Sequence, residues 1–222
     1  MAEAIDLTTA AGRRRARNEL VWGDHGFLRV RFRNLHQISP EMWRANQPSP
    51  EQIVRYASEL GLKTIVNLRG TSDKGYYLLE REACEANGIK LVDFQVFSRD
   101  SPTRETVLAA RELFEEIAYP ALMHCKSGAD RAGVMAVLYM HFRQKKPIHI
   151  AKRQLSFDYL HIRYGKTGIL DYFFDTYLRE GEPLGLTFAD WVATRYDRDR
   201  VKAEFKKTSA QKLNIDQLLR RE

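Results

Sequence analysis

Apolar positions recur along this chain in short blocks whose period switches between two and 3.6, so strands and helices are expected to alternate. Phe27-Leu28-Arg29-Val30-Arg31-Phe32 alternates like an edge strand, and Glu41-Met42-Trp43-Arg44-Ala45 reads as its partner. Ser49-Pro50-Glu51-Gln52 announces a helix, with Ser49 as N-cap, Pro50 at the first position and Gln52 completing a capping box. Ile53, Tyr56, Ala57 and Leu60 fall on one face of it, and Gly61 closes it. A strand over 63–68, a helix over 76–87 ended by Gly88, and a strand over 89–96 follow. After Ser101-Pro102 a helix carries Val107, Ala110, Phe114 and Ile117, and Pro120 precedes the apolar run Ala121-Leu122-Met123. The alternation predicts an α/β fold: a central, mostly parallel twisted sheet flanked by helices. From Pro147 onward the pattern is helical, with Tyr159, Ile162, Phe173, Phe174, Tyr177 and Leu178 as expected core contacts. Three segments result: a basic tail or short helix over 1–24, a main domain over 25–180, and a basic helical extension over 181–222.

The strand starting at Ala121 runs into His124-Cys125-Lys126-Ser127-Gly128-Ala129-Asp130-Arg131, and Val134-Met135-Ala136-Val137-Leu138 opens a helix behind it. A strand, a tight loop and a helix start form a cradle for a phosphate dianion, because loop amides and the unpaired N–H groups of the first helical turn all donate toward one point. Lys126, Ser127, Gly128, Ala129, Asp130 and Arg131 are the expected phosphate-binding residues, with Gly128 permitting the turn. Arg131 brings a planar fork matching two phosphate oxygens, which a lysine cannot do. The same field favours a negatively charged sulfur at Cys125, the candidate nucleophile.

These residues resemble the phosphate-binding loop of the cysteine-dependent protein tyrosine phosphatase superfamily, especially its compact bacterial dual-specificity-like members. Trp43-Arg44-Ala45-Asn46-Gln47-Pro48-Ser49 resembles the family's Tyr-Arg-Ser-x-Gln-Pro segment, and Gly61-Leu62-Lys63-Thr64-Ile65-Val66-Asn67-Leu68-Arg69 resembles its Gly-Ile-x-x-Val-Ile-Asn-Leu-Arg strand. The resemblance covers about residues 27–165. It implies hydrolysis of a phosphomonoester through a cysteinyl phosphate, on a phosphorylated protein or a small phosphorylated substrate, with tyrosine phosphate first and serine/threonine phosphate, phosphoinositide and inositol polyphosphate behind it. Sulfur-transfer and arsenate-reducing enzymes share the five-residue gap, but the flanking stretches do not suit them.

Such chemistry needs a carboxyl group that protonates the leaving oxygen and then activates water. The family takes it from a loop ahead of the helix before the nucleophile strand, here Phe97-Ser98-Arg99-Asp100-Ser101-Pro102. Asp100 is the first candidate, although it stands two positions before Pro102, where relatives more often show four. Asp130, inside the cradle, and Asp93, within a strand pattern, are the alternatives. Ala132 stands where most relatives carry Ser or Thr, whose hydroxyl stabilises the departing sulfur. We therefore expect phosphocysteine to accumulate and Ala132→Ser or Ala132→Thr to raise turnover; burst kinetics absent from the parent, with no gain in the variants, would remove this expectation. His124 is read as a loop brace, Arg69 as a substrate binder or the partner of a carboxylate, and Cys84 as a packing residue, with a reversible disulfide to Cys125 as its alternative.

Composition narrows the setting. With 44% hydrophobic and 11% aromatic residues the chain can build a core. No apolar stretch approaches the span of a bilayer and the N-terminus lacks the order of a secretion signal, so a cytoplasmic, reducing location is expected. Two cysteines make no disulfide framework, no Cys/His spacing suits zinc, and thiolate, guanidinium and carboxyl cover both half-reactions without metal or organic cofactor. The net charge of +7 is spread out; nine Lys/Arg against five Asp/Glu over 195–222 read as a solvated helical face, and nucleic acid is not the expected partner. Two other function classes remain open: a module that docks phosphorylated partners without turnover, and a basic adaptor for an anionic surface through residues 195–222. Oligomeric state is not legible.

Overall fold

A computed structural model describes residues 4–219, with side chains except at Val30 and residues 209–219. The last three residues of the basic extension, 220–222, and the first three of the tail lie outside the described residues. The chain divides into two compact units, one made of residues up to Val96 with Glu116–Ala132, the other of Phe97–Glu115 with residues from Gly133 onward.

The first unit holds the whole sheet. Helix α1 (Ala10–Asn18) is capped by the Thr9 hydroxyl and runs into a widened turn over Glu19–Gly23. Then come α2 (Gly26–Arg31), β1 (His36–Ser39), β2 (Met42–Asn46), α3 (Pro50–Leu60), β3 (Thr64–Asn67), α4 (Gly75–Ala86), β4 (Lys90–Asp93) and, after α5 (Arg104–Glu116) of the second unit, β5 (Ala121–Cys125). Strand order is β1-β2-β5-β3-β4, antiparallel only between β1 and β2. The fold is therefore α/β, with a mostly parallel five-stranded sheet flanked by helices. β5 is the central strand and all five of its residues are buried, as a strand covered on both faces requires.

Helices α3 and α4 seal one face. Ile53 and Tyr56 of α3 and Ala83 and Cys84 of α4 pack against Ala45, Ile65 and Leu122 of the sheet. The start of α3 follows from its sequence: Ser49 accepts from the Gln52 amide while Gln52 reaches back to Ser49, and Gly61 ends the helix at φ +60°. Helix α1 adds a smaller cluster in which Ala16 and Leu20 meet Leu79 of α4.

One expected strand is a helix. Residues 27–31 lie in α2 with Phe32 as its C-cap, and the edge strand is His36–Ser39, paired with β2. Over six residues, periods of two and 3.6 share most positions, and Arg29, polar in the strand reading, is in fact buried on Asp24 at 2.8 Å.

The second unit is helical: α5, most of α6 (Asp130–Phe142), α7 (Ile148–Ala151), α8 (Ile169–Glu180), α9 (Phe188–Thr194) and α10 (Arg198–Leu219). Phe173 and Phe174 are fully buried and, with Tyr177, pack against Phe188 and Trp191 with edge-on, tilted and stacked rings, so these expected core residues do fill a core. Ile162, expected in the same core, is instead exposed, in an irregular stretch between the helices. Much of the charge on α10 is paired within the unit: Arg200 with Glu180 and Glu204, Arg198 and Lys202 with Asp100.

Candidate active site

Strand alternation sorts the residues around the cradle. Leu122 packs on the α3 and α4 face of the sheet, so His124 turns that way too, while Met123 and Cys125 turn to the other face beside Arg44 and Asn46 of β2. Cys125 ends β5 and is 2% exposed, Lys126–Ala129 form the loop, and Asp130 and Arg131 open α6. Cys125, the loop and Arg131 thus belong to one unit, at the carboxyl end of its central parallel strand, where ligands bind in open α/β sheets.

The loop is held from outside by its carbonyls. Arg44, fully buried, donates through Nη2 to Gly128 O at 2.7 Å and Ala129 O at 2.8 Å. Asn34 Nδ2 donates to Ser127 O at 2.9 Å, and the Gln47 amide to Lys126 O at 3.4 Å. These peptides are trans, and a trans peptide points its C=O and N–H in opposite directions. The amides of Ser127, Gly128, Ala129 and Asp130 are therefore turned away from β2 and its neighbours, the arrangement an anion cradle needs. Gly128 has φ +75°, and a Cβ there would stand 2.7 Å from the Ala45 carbonyl carbon and 2.8 Å from the Asn46 nitrogen. Only glycine permits that close approach of loop to strand.

A second ring of contacts joins the two residues that flank Cys125. His124 Nε2 lies 2.6 Å from Glu80 Oε1, both fully buried, close enough to pair but off the axis of a good hydrogen bond. Glu80 Oε2 accepts from Gln47 Nε2 at 2.7 Å, and Gln47 Oε1 accepts from Arg69 Nη1 at 2.8 Å. Arg69 stacks over the Tyr76 ring at 3.7 Å and grips both oxygens of Asp24 at 2.8 Å. Asp24 also pairs with Arg29 and stands 3.4 Å from Lys126 Nζ, which closes the chain from His124 to Lys126. Burial alone would push the Asp24 carboxyl up; the hydrogen bond from Arg69 and the charges of Arg69, Arg29 and Lys126 outweigh it and hold the group below the usual carboxylate range. Arg69 is thus committed to a carboxylate, the second of its two expected roles.

The candidate acids are distributed differently. Asp100 lies in the second unit, where its oxygens accept from Arg198 at 2.5 Å, Lys202 at 3.2 Å and the Ser101 amide at 2.9 Å. Asp130, partly exposed, is the first residue of α6 and the immediate neighbour of Arg131. Asp93 accepts from Asn67 Nδ2 at 2.8 Å and from the Tyr77 hydroxyl at 2.6 Å, a structural carboxylate at the end of β4. Burial, then the hydrogen bond to Asp93, pushes the Tyr77 hydroxyl up to about 12. Cys84 is 1% exposed, and burial, reinforced by the charges of Glu80 and Asp93, drives its thiol up to about 12. It packs on the α3 and α4 face of the sheet, opposite the face to which Cys125 turns, and both cysteines are free thiols.

Asp24, Asn34, Arg44, Gln47 and Glu80 shape the loop without having been singled out from sequence for that work. Two carried a signal: Arg44 is the one charge inside the strand Met42–Asn46, and Glu80 shares the face of α4 with Tyr77 and Cys84, where a carboxylate needs a buried partner. Asp24 carried none.

The match with a known family covers residues 33–161, more than half the chain; that family is described as PTP-NADK, a DSP-PTPase phosphatase fused to NAD+ kinase. Among solved structures, Pseudomonas aeruginosa TpbA, in a cysteine-to-serine form complexed with phosphotyrosine, is 21% identical over 72% of this chain and 91% of its own, with a TM-score of 0.51. The active form of Tk-PTP is 15% identical over 64% of this chain and 97% of its own, at 0.52, and PTPMT1 is 13% identical over 67% and 99%, at 0.50. At these identities the likeness is one of fold. No curated protein matches the chain.

Proposed function

The chain belongs to the DSP-PTPase phosphatase family, and from that membership we propose that it hydrolyses phosphomonoesters through a phosphocysteine on Cys125, with phosphotyrosine as first substrate. The observation that carries this reading is the loop after Cys125, whose carbonyls are tied outward by Arg44, Asn34 and Gln47 so that its amides turn the other way. Those amides and Arg131 bind three phosphate oxygens. The Cys125 sulfur attacks phosphorus opposite the ester oxygen, the P–O bond breaks as the S–P bond forms, and a carboxyl proton goes to the leaving oxygen. Water, deprotonated by the same carboxylate, then attacks phosphorus, freeing phosphate and the sulfur. His124, held by Glu80, and Lys126, held by Asp24, fix the loop on either side of the nucleophile.

Asp100 is the proposed acid; it must leave Arg198 and Lys202 to serve. Asp130 is the second reading, favoured by its place beside Arg131 in the first turn of α6. Each replaced by Asn, assayed on an aryl phosphate and on a poorer alkyl leaving group, separates them. Loss of the true acid should cost roughly 10²–10⁴-fold on the alkyl ester and much less on a nitrophenyl ester. Equal, small losses in both variants on both esters would remove Asp100 and Asp130 as the acid. Phosphoserine, phosphothreonine, inositol polyphosphate and phosphoinositide tested beside phosphotyrosine (the ligand held by the TpbA structure) decide the substrate class.

A further inference from the structure

We propose that the N-terminal segment over residues 13–33 is a docking face for an anionic lipid surface. Trp22, Phe27, Leu28 and Phe32 expose 67, 46, 58 and 56% of their surface, a density of large apolar side chains that a water-facing segment does not need. The Trp22 and Phe27 rings lie 5.4 Å apart, so they form one patch. The exposure is built in: Leu20, Asp24 and Arg29 of the same segment are buried, and they anchor it while the rings point to water.

Charge chooses the occupant. The segment carries seven arginines; Arg13, Arg15, Arg17 and Arg29 pair with Glu82, Glu19, Glu51 and Asp24, while Arg14, Arg31 and Arg33 stay exposed outside those pairs. Arg31 and Arg33 flank the exposed Phe32 along the chain. Aromatic and leucine side chains set among arginines suit the headgroup boundary of a bilayer, where rings sit at interfacial depth and guanidinium groups meet lipid phosphates. No helix among the described residues is long and apolar enough to cross a membrane, so the contact is peripheral. Two weak signals together, apolar burial and cation attraction, give reversible binding where either alone would be marginal. Lys126 lies 3.4 Å from Asp24 and 3.5 Å from His25, which ties this face to the phosphate loop.

The test is sedimentation of the full chain with vesicles of phosphatidylglycerol and phosphatidylcholine against phosphatidylcholine alone, with tryptophan emission read in parallel. Binding should be roughly tenfold or more stronger on the anionic vesicles, fall with salt, and shift emission to the blue, since Trp22 is the one tryptophan largely in water. Trp22→Ala with Phe27→Ala, and independently Leu28→Asp, should lose at least about tenfold in binding yet hydrolyse a soluble aryl phosphate as the parent does. Cys125→Ser should bind vesicles like the parent, so this proposal and the phosphatase reading fail separately. Equal binding to neutral and anionic vesicles, an unmoved emission, or lipid-free self-association abolished by the same variants would overturn it; the last would assign the face to a second copy of the chain.

Discussion

Cys125→Ser should reduce hydrolysis of para-nitrophenyl phosphate on the order of 10⁴-fold or more while leaving phosphotyrosine binding, measured by calorimetry, near that of the parent. A serine hydroxyl is far harder to ionise than a thiol, so it does not supply the anionic nucleophile that the sulfur would. The cradle itself should survive. Serine is close in size to cysteine, and the contacts that shape the loop come from Arg44, Asn34 and the Gln47 amide, none of which involves the sulfur. Binding without turnover would then be the behaviour of the variant, and turnover by the parent is what separates an enzyme from a module that only docks phosphorylated partners. Hydrolysis that persists in Cys125→Ser would end the covalent reading. Loss of binding along with turnover would instead mean that the sulfur, and not the amides, holds the ligand.

Gly128→Ala should be nearly as damaging for a different reason. An alanine at φ +75° sits in the left-handed region at a cost of about 1–2 kcal/mol, and its Cβ meets the backbone of β2 at 2.7–2.8 Å. Backbone in the middle of a sheet does not swing aside like a side chain, so overpacking adds roughly 1–3 kcal/mol. Denaturant unfolding should register a total loss of about 2–5 kcal/mol, unless the loop lifts off β2 and breaks the Arg44 contacts. In that event stability falls less but phosphate binding disappears. Gly88→Ala is the control: φ is +66° and nothing lies within 4 Å of the added carbon, so only the conformational cost applies and activity should stay intact. Equal effects at the two glycines would contradict the close approach of loop to strand.

The loop was legible because its parts are local. A buried apolar strand, a glycine, an arginine six positions past the cysteine and a helix start all fall within twenty residues or so, and each acts on its immediate neighbours. Helix α3 was legible likewise, since Ser49, Pro50, Gln52 and Gly61 cap their own chain. The misread stretch over 27–32 shows the limit of periodicity. Six residues satisfy a strand and a helix nearly equally, and the decision rests on Arg29 being drawn inside by Asp24.

Local order in the chain accounts for most of the strands, the capped helices and the residues of the loop after Cys125, because capping and hydrophobic alternation act over a few positions. What surrounds the loop belongs to the folded state alone: Arg44 reaching Gly128, Glu80 meeting His124, and Asp24 binding Arg69 and Lys126 join residues about 40 to 100 positions apart. A buried charge is tolerable only with a partner beside it, and chain separation says nothing about which partner packing will bring there.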